Sequence, residues 1–245
     1  MQRCSLLAVF STAVLASACS ELDSEDVLTT GVSPDFKVES AGNGDSTVSA
    51  RLHAGRSSLT YLQLTGDDNL TAKVGEETKD LTKTSGVDFN APSYSADFAV
   101  DAAETEFTIA FVRTVDAGAP ASTVKMPAPY EPTAPAEGAE LSRENDDLVL
   151  TINEAAADPT TIQILGECIK SVDASIAAGE TSVTIAKGTF VPPEDGESEE
   201  DPETKTCSVS VAFTRSRSGT LDPAFTEGGS ITASQRRSLS LTLKP

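Results

Sequence analysis

Tryptophan is absent from this chain of 245 residues, aromatic side chains make up 5% of it, and it holds one histidine. So few flat rings argue against a sugar or base platform, because stacking on aromatic faces is how such ligands are commonly held. His53 has no cysteine or second histidine beside it, so it offers neither a metal set nor a nucleophile dyad. A serine triad would have to be built on His53 alone, and no Gly-x-Ser-x-Gly elbow occurs. Basic charge is also scarce: 18 Lys and Arg stand against 38 Asp and Glu, a formal net charge of −20. Phosphate-backbone partners need cationic side chains to displace counterions, so nucleic acid is not expected, and anionic lipid is disfavoured for the same reason. The chain reads as neither an enzyme nor a cofactor carrier.

Long apolar runs are lacking except at the start. Arg3 supplies a positive n-region, and the apolar stretch at 5–15 is too short to span a bilayer but suits a secretory signal. It ends in Ala16-Ser17-Ala18-Cys19, which satisfies the small-x-small cleavage rule and resembles the lipobox of bacterial lipoproteins. In that family the cysteine after the cut carries the acyl chains. The lipobox usually has Leu three positions before the cysteine; here Ala16 stands there and Leu15 lies one step further out. Residues 1–18 are thus expected to be a cleaved export signal, with Cys19 lipidated. Ser20 after the cysteine resembles the signal for passage to the outer membrane. Residues 19–26 read as a short acidic tether.

Cysteine arithmetic bears on the anchor. Cys4 leaves with the signal, so Cys19, Cys168 and Cys207 remain, an odd number for an oxidising compartment. If Cys19 is acylated, Cys168 and Cys207 can pair and no thiol is stranded; if the protein is secreted in soluble form, Cys19 stays free.

The remainder alternates apolar and small polar residues over short stretches separated by Gly, Asp, Asn and Pro, as in Phe107-Thr-Ile-Ala-Phe111, Cys207-Ser-Val-Ser-Val-Ala-Phe213 and Leu239-Ser-Leu-Thr-Leu243. Each such stretch is a strand with one buried face. An internal repeat organises them. Ile109-Ala-Phe111-Val-Arg113-Thr114 matches Val211-Ala-Phe213-Thr-Arg215-Ser216, and upstream Leu62-Gln-Leu64-Thr-Gly66 matches Ile162-Gln-Ile164-Leu-Gly166. The expected fold is all-β: two tandem immunoglobulin-like β-sandwiches at 27–126 and 136–245. They are joined by a Pro-rich linker at 127–135 that should hold them apart as separate beads.

The second copy resembles a kind of Ig-like domain seen in uncharacterised exported bacterial proteins, envelope lipoproteins among them. The residues that carry the resemblance are Leu141-Ser-Arg143 with Asp146-Asp147-Leu148, Gly166-Glu-Cys168, Cys207, and the run from Thr214-Arg-Ser-Arg to Ala224-Phe225. No activity comes with this resemblance. It implies exposure on the cell envelope.

Strand parity turns Cys168 toward the side of Ile162 and Ile164, and Cys207 toward that of Val209, Val211 and Phe213. A Cys168–Cys207 disulfide bridging the two sheets is the expectation. Arg215, Arg217, Arg236 and Arg237 gather at one end of the second copy if the last two strands pair. There they either receive a carboxylate partner or neutralise the acidic run at 194–203. Arg237 shares parity with Leu239, Leu241 and Leu243, so a bulge or turn is expected near it. The run at 194–203, including Glu194, Asp195 and Glu197, carries seven carboxylates in ten residues and is a weak calcium candidate. A solvated loop is the plainer alternative, since the alternating ligands of an EF-hand are missing.

The reading is a non-catalytic envelope lipoprotein, bound to the membrane through its N-terminal lipid. Its strand-connecting loops would meet a protein or glycan partner. A calcium-stabilised adhesion module and a secreted enzyme are the alternatives. In a bacterium that processes lipoproteins, Cys19→Ala should abolish acylation and move the protein from the membrane to the soluble fraction, because no other segment of the mature chain is an apolar span. Fractionation with acyl-chain labelling checks this.

Overall fold

The computed structural model describes residues 21–56, 60–84, 91–193 and 206–245. Among them there is no α-helix, only two 3-10 turns, Ser24–Asp26 and Thr29–Gly31. The strands of the first half are β1 (Glu21–Asp23), β2 (Val32–Ser40), β3 (Ser46–Ala54), β4 (Tyr61–Gln63), β5 (Asn69–Val74), β6 (Glu77–Asp80), β7 (Thr82–Thr84), β8 (Ser93–Phe98), β9 (Glu106–Val112) and β10 (Ala119–Lys125). Those of the second are β11 (Pro132–Ala134), β12 (Glu140–Ser142), β13 (Leu148–Ile152), β14 (Thr160–Gly166), β15 (Val172–Ile176), β16 (Ser182–Ile185), β17 (Cys207–Ser218) and β18 (Ser230–Lys244).

The same strand order occurs twice. In the first half β2–β3–β8 face β6–β5–β9–β10; in the second β11–β13–β16 face β15–β14–β17–β18, with β12 running parallel to the end of β18. This is the Ig-like sandwich, a three-strand sheet against a four-strand sheet. Period-2 patterning drives it: Val32, Phe36 and Val38 of β2 meet Leu70, Phe107, Ile109 and Phe111 in one core, while Leu150, Ile152 and Ile162 meet Val211, Phe213 and Leu241 in the other.

The duplication is real, but half of its sequence signal was chance. Phe111 and Phe213 occupy equivalent places, each opposite the strand that precedes it in the sheet: Leu70↔Phe111 and Ile162↔Phe213. The counterpart of Ile162 is therefore Leu70, not Leu62. Leu62 lies instead in β4, beside β1.

The two cores also divide the chain differently from the expected boundaries at 27–126 and 136–245. β17 and β18 form one hairpin in unbroken register from Cys207↔Leu243 to Ser218↔Thr232. Its base belongs to the second sandwich and its far end to the first, where Ser230 to Gln235 pair in parallel with Asp35 to Ser40 of β2. Phe225, Ile231 and Ala233 are buried in the first core, and the Phe225 ring meets Phe36 edge-on at 6.0 Å. Parity explains how one strand serves both. Along β18 the odd-numbered residues face inward throughout, Ile231 and Ala233 in one core and Leu239, Leu241 and Leu243 in the other.

This arm closes the gap between the two sheets of the first sandwich. It adds a strand to β2 of one sheet, and the backbone N–H groups of Thr123 and Thr220 exchange 2.8 Å bonds with the opposite carbonyls, tying it to β10 of the other. Asp222 is buried and accepts from the Ala121 and Ala224 amides at 2.9 Å each. A Cβ on Gly219 would overlap the Thr123 carbonyl, and one on Gly229 the Pro34 carbonyl, so both ends of the tip require glycine. The tip reaches the far end of the sandwich, where Thr226 Oγ1 donates to Thr30 O at 2.8 Å.

Neither connecting segment is loose. Tyr130 of the linker is buried in the second core, Met126 in the first, and Pro132–Ala134 pairs with β13. The linker is a packed joint rather than a spacer. Of the expected tether, Glu21–Asp23 pairs with β4 and Ser24 is fully buried.

Phe225→Ala, a substitution in the second copy, should lower the stability of the first sandwich by about 3 kcal/mol, the usual cost of emptying a buried phenylalanine site. Because the arm couples the two sandwiches, hydrogen exchange by global unfolding should quicken in the β2 and β3 amides and in the β13 and β16 amides alike, which is the expected readout.

Candidate functional site

The four arginines singled out in the sequence converge on the junction of the two sandwiches. Beyond Phe213 the inward-facing positions of β17 are Arg215 and Arg217; between Ala233 and Leu239 those of β18 are Gln235 and Arg237. An apolar stripe thus becomes a polar one where the chain passes from one core to the other. Such groups can be buried there only because each finds a partner.

Arg215 is 1% exposed. Its guanidinium donates to Thr160 Oγ1 at 3.1 Å, Ala128 O at 2.9 Å and Glu154 O at 2.9 Å, and lies 4.6 Å from the Tyr130 ring centroid. Arg237 covers the same ring at 5.4 Å, pairs with Glu131 at 3.0 Å and donates to the Arg236 carbonyl at 2.8 Å. Tyr130 is held by both cations, and its hydroxyl donates to Gln235 O at 3.2 Å. Burial pushes the Tyr130 hydroxyl far above its ordinary pKa, and burial likewise lowers that of Arg215.

Arg217 spans the junction. It grips Asp158 of the second sandwich through two nitrogens, at 2.6 and 3.3 Å, and Glu104 of the first at 2.5 Å. Those hydrogen bonds, Asp158 first and Glu104 second, raise its pKa. Glu104 adopts a left-handed backbone (φ 61°), which non-glycine residues seldom do, while its amide donates to Met126 O at 2.9 Å. Gln235 completes the contact, donating to Asp101 O at 2.7 Å.

The carboxylates that receive Arg217, Arg236 and Arg237 therefore come from the chain itself. The bulge expected near Arg237 is absent, because the inward position that parity gives it opens onto Tyr130 rather than onto an apolar core. Arg236 differs from the rest: it points outward, its side chain is 58% exposed, and it pairs with Glu39 at 3.0 Å. Two shallow grooves meet at it. One, of about 420 Å³, runs over Thr161, Gln163, Asp173 and Thr214; the other, of about 370 Å³, runs over Ser40, Asn43, Asp45 and Thr47. The outer sheet face is thus continuous across both sandwiches, with Arg236 at its middle.

A related buried arginine stands in the first copy. Arg113 donates to Asp68 at 3.1 Å, Val27 O at 2.8 Å, Thr29 Oγ1 at 3.1 Å and Ser24 O at 2.7 Å. Asp68 directly precedes β5 and Thr160 opens β14, so the two stand in equivalent register to Arg113 and Arg215, and each arginine also bonds the segment by which the chain enters its sandwich. The matched Arg113 and Arg215 of the repeat carried this signal.

Cys168 and Cys207 form the expected disulfide, with Cα atoms 6.1 Å apart. It does not bridge the sheets. Cys207 opens β17 and Cys168 follows β14, its neighbour in the same sheet, so the bond fastens the ends of adjacent strands. Parity could say that both sulfurs face inward, but not from which sheet. Closing a loop of this length contributes about 3 to 4 kcal/mol in the chain-entropy account. His53 lies beside Tyr61, ring centroids 4.7 Å apart. Cys19, Glu194, Asp195 and Glu197 lie outside the described residues.

No protein-family model and no curated protein matches the chain. Among solved structures it is similar to the chicken CNTN1 FN1–FN3 domains, at 10% identity and a TM-score of 0.29, over 86% of this chain and 65% of that one. It is also similar to the two-domain fibronectin type-III segment of chicken tenascin, at 13% identity and a TM-score of 0.24, over 86% of this chain and 99% of that one. The Ig-like assignment rests on the strand order itself.

Arg215→Leu would leave the Ala128 and Glu154 carbonyls and the buried Thr160 hydroxyl without this donor. It should lower stability by about 3 kcal/mol. Urea unfolding of the purified protein measures it.

Proposed function

We propose that the chain is a non-catalytic cell-envelope lipoprotein, exported by residues 1–18 and anchored through Cys19, that works as a binding or assembly module. The closed Cys168–Cys207 pair carries this reading. It fits an oxidising compartment, and it uses two of the three cysteines left after signal removal, so that Cys19 alone remains for acylation.

The binding surface under this reading is the outer face around Arg236. The β17–β18 loop, a natural place to look for a partner site, is occupied within the chain. Arg236 offers an exposed fork beside two shallow grooves, suited to a protein or glycan that presents an acidic group. The calcium-stabilised alternative keeps only the run at 194–203 as support.

Mild crosslinking in intact envelopes should capture the partner. Arg236→Ala should reduce that capture about tenfold, the effect of losing one central contact of about 1.4 kcal/mol. Its melting temperature should hardly change, because an exposed ion pair contributes at most about 1 kcal/mol. Undiminished capture by the variant would exclude Arg236 from the surface.

A further inference from the structure

The chain enters the first sandwich at the pole opposite the second. β1 begins with Glu21 beside Tyr61, which pairs with His53 near the end of β3; β2 starts at the same level, Val32 opposite Ala54. The β9–β10 loop is tied to this pole, since the Thr29 amide donates to Asp116 at 2.7 Å and the Thr29 hydroxyl to Ala117 O at 2.6 Å. The other pole holds the linker and the arginine joint.

Large apolar side chains are exposed at the entry pole. Leu28 is 66% exposed, Val115 56%, Val112 46% and Leu22 41%; Leu28 precedes Thr29, Val112 ends β9, and Val115 lies in the loop that Thr29 holds. No tether separates this pole from residue 19. Glu21 is already in a paired strand, and the two residues from Cys19 to Glu21 can reach no further than about 7 Å.

We propose that this pole is a membrane seat: with Cys19 acylated, Leu28, Val112 and Val115 rest in the interfacial layer of the bilayer, and the second sandwich points away from it. The proposal depends on the lipid-anchor reading above. Glu21, Asp23, Glu25 and Asp67 are exposed on the segments of this pole and outnumber the exposed Arg56 that follows β3, so the seat suits a zwitterionic rather than an anionic surface. A few apolar side chains do not bind a bilayer alone, but beside an acyl anchor they set the orientation. The rigid joint then fixes the second sandwich and the Arg236 face at a constant height.

The absence of tryptophan makes the test direct. Three single reporters, Leu28→Trp, Val115→Trp and Leu165→Trp, are expressed as the full chain. The acylated products are placed in phosphatidylcholine vesicles with bromine on the upper acyl carbons. An apolar face settles about 5–10 Å into the boundary, so fluorescence at positions 28 and 115 should fall about twofold while position 165, on the second sandwich, stays unquenched. Bound, acylated protein with positions 28 and 115 as bright as 165 would overturn the seat and leave the anchor standing. Soluble protein bearing no acyl chain would remove the anchor and the seat together.

Discussion

The architecture depends on one hairpin that does not end where its own core ends. β17 and β18 continue as a two-stranded arm, which becomes an edge strand of the other sandwich and fills its core with Phe225, Ile231 and Ala233. An unpaired edge at β2 would be open to aggregation, and an open side between sheets would leave apolar surface wet. The arm removes both faults, so the first sandwich is complete only in the presence of the second.

The joint follows from the same geometry. Where the arm leaves one core for the next, its inward positions can be neither apolar, for lack of a core, nor freely solvated. Arg215, Arg217, Gln235 and Arg237 suit that zone because long side chains bury their stems and carry charge to fixed acceptors. Glu104, Asp158, Glu131 and the Tyr130 ring supply those acceptors from both sides. Two modules so joined are tied by ion-paired side chains and a shared strand rather than left as a flexible pair. That is the property a spacer from a membrane to a partner would need.

The strands were legible in the sequence because period-2 alternation reports directly which side is buried, and the late-strand repeat was legible because Phe111 with Arg113 and Phe213 with Arg215 do the same work twice. Other features were hidden for physical reasons. Alternation says that a face is buried, not against what, so the stretch from Ile231 to Leu243 gave no sign of dividing between two cores. Parity placed both sulfurs inward yet was blind to their lying in one sheet. The four prolines at 127–135 suggest an extended spacer, and only tertiary packing shows Tyr130 held between two guanidinium groups. The apparent match of Leu62 with Ile162 shows how easily short strand patterns coincide.

The shared arm should make one cooperative unit of the two sandwiches. Differential scanning calorimetry of the purified protein tests it most directly. A single transition is expected, with the calorimetric enthalpy equal to the van't Hoff enthalpy. Two resolved transitions, each with the enthalpy of half the chain, would contradict it.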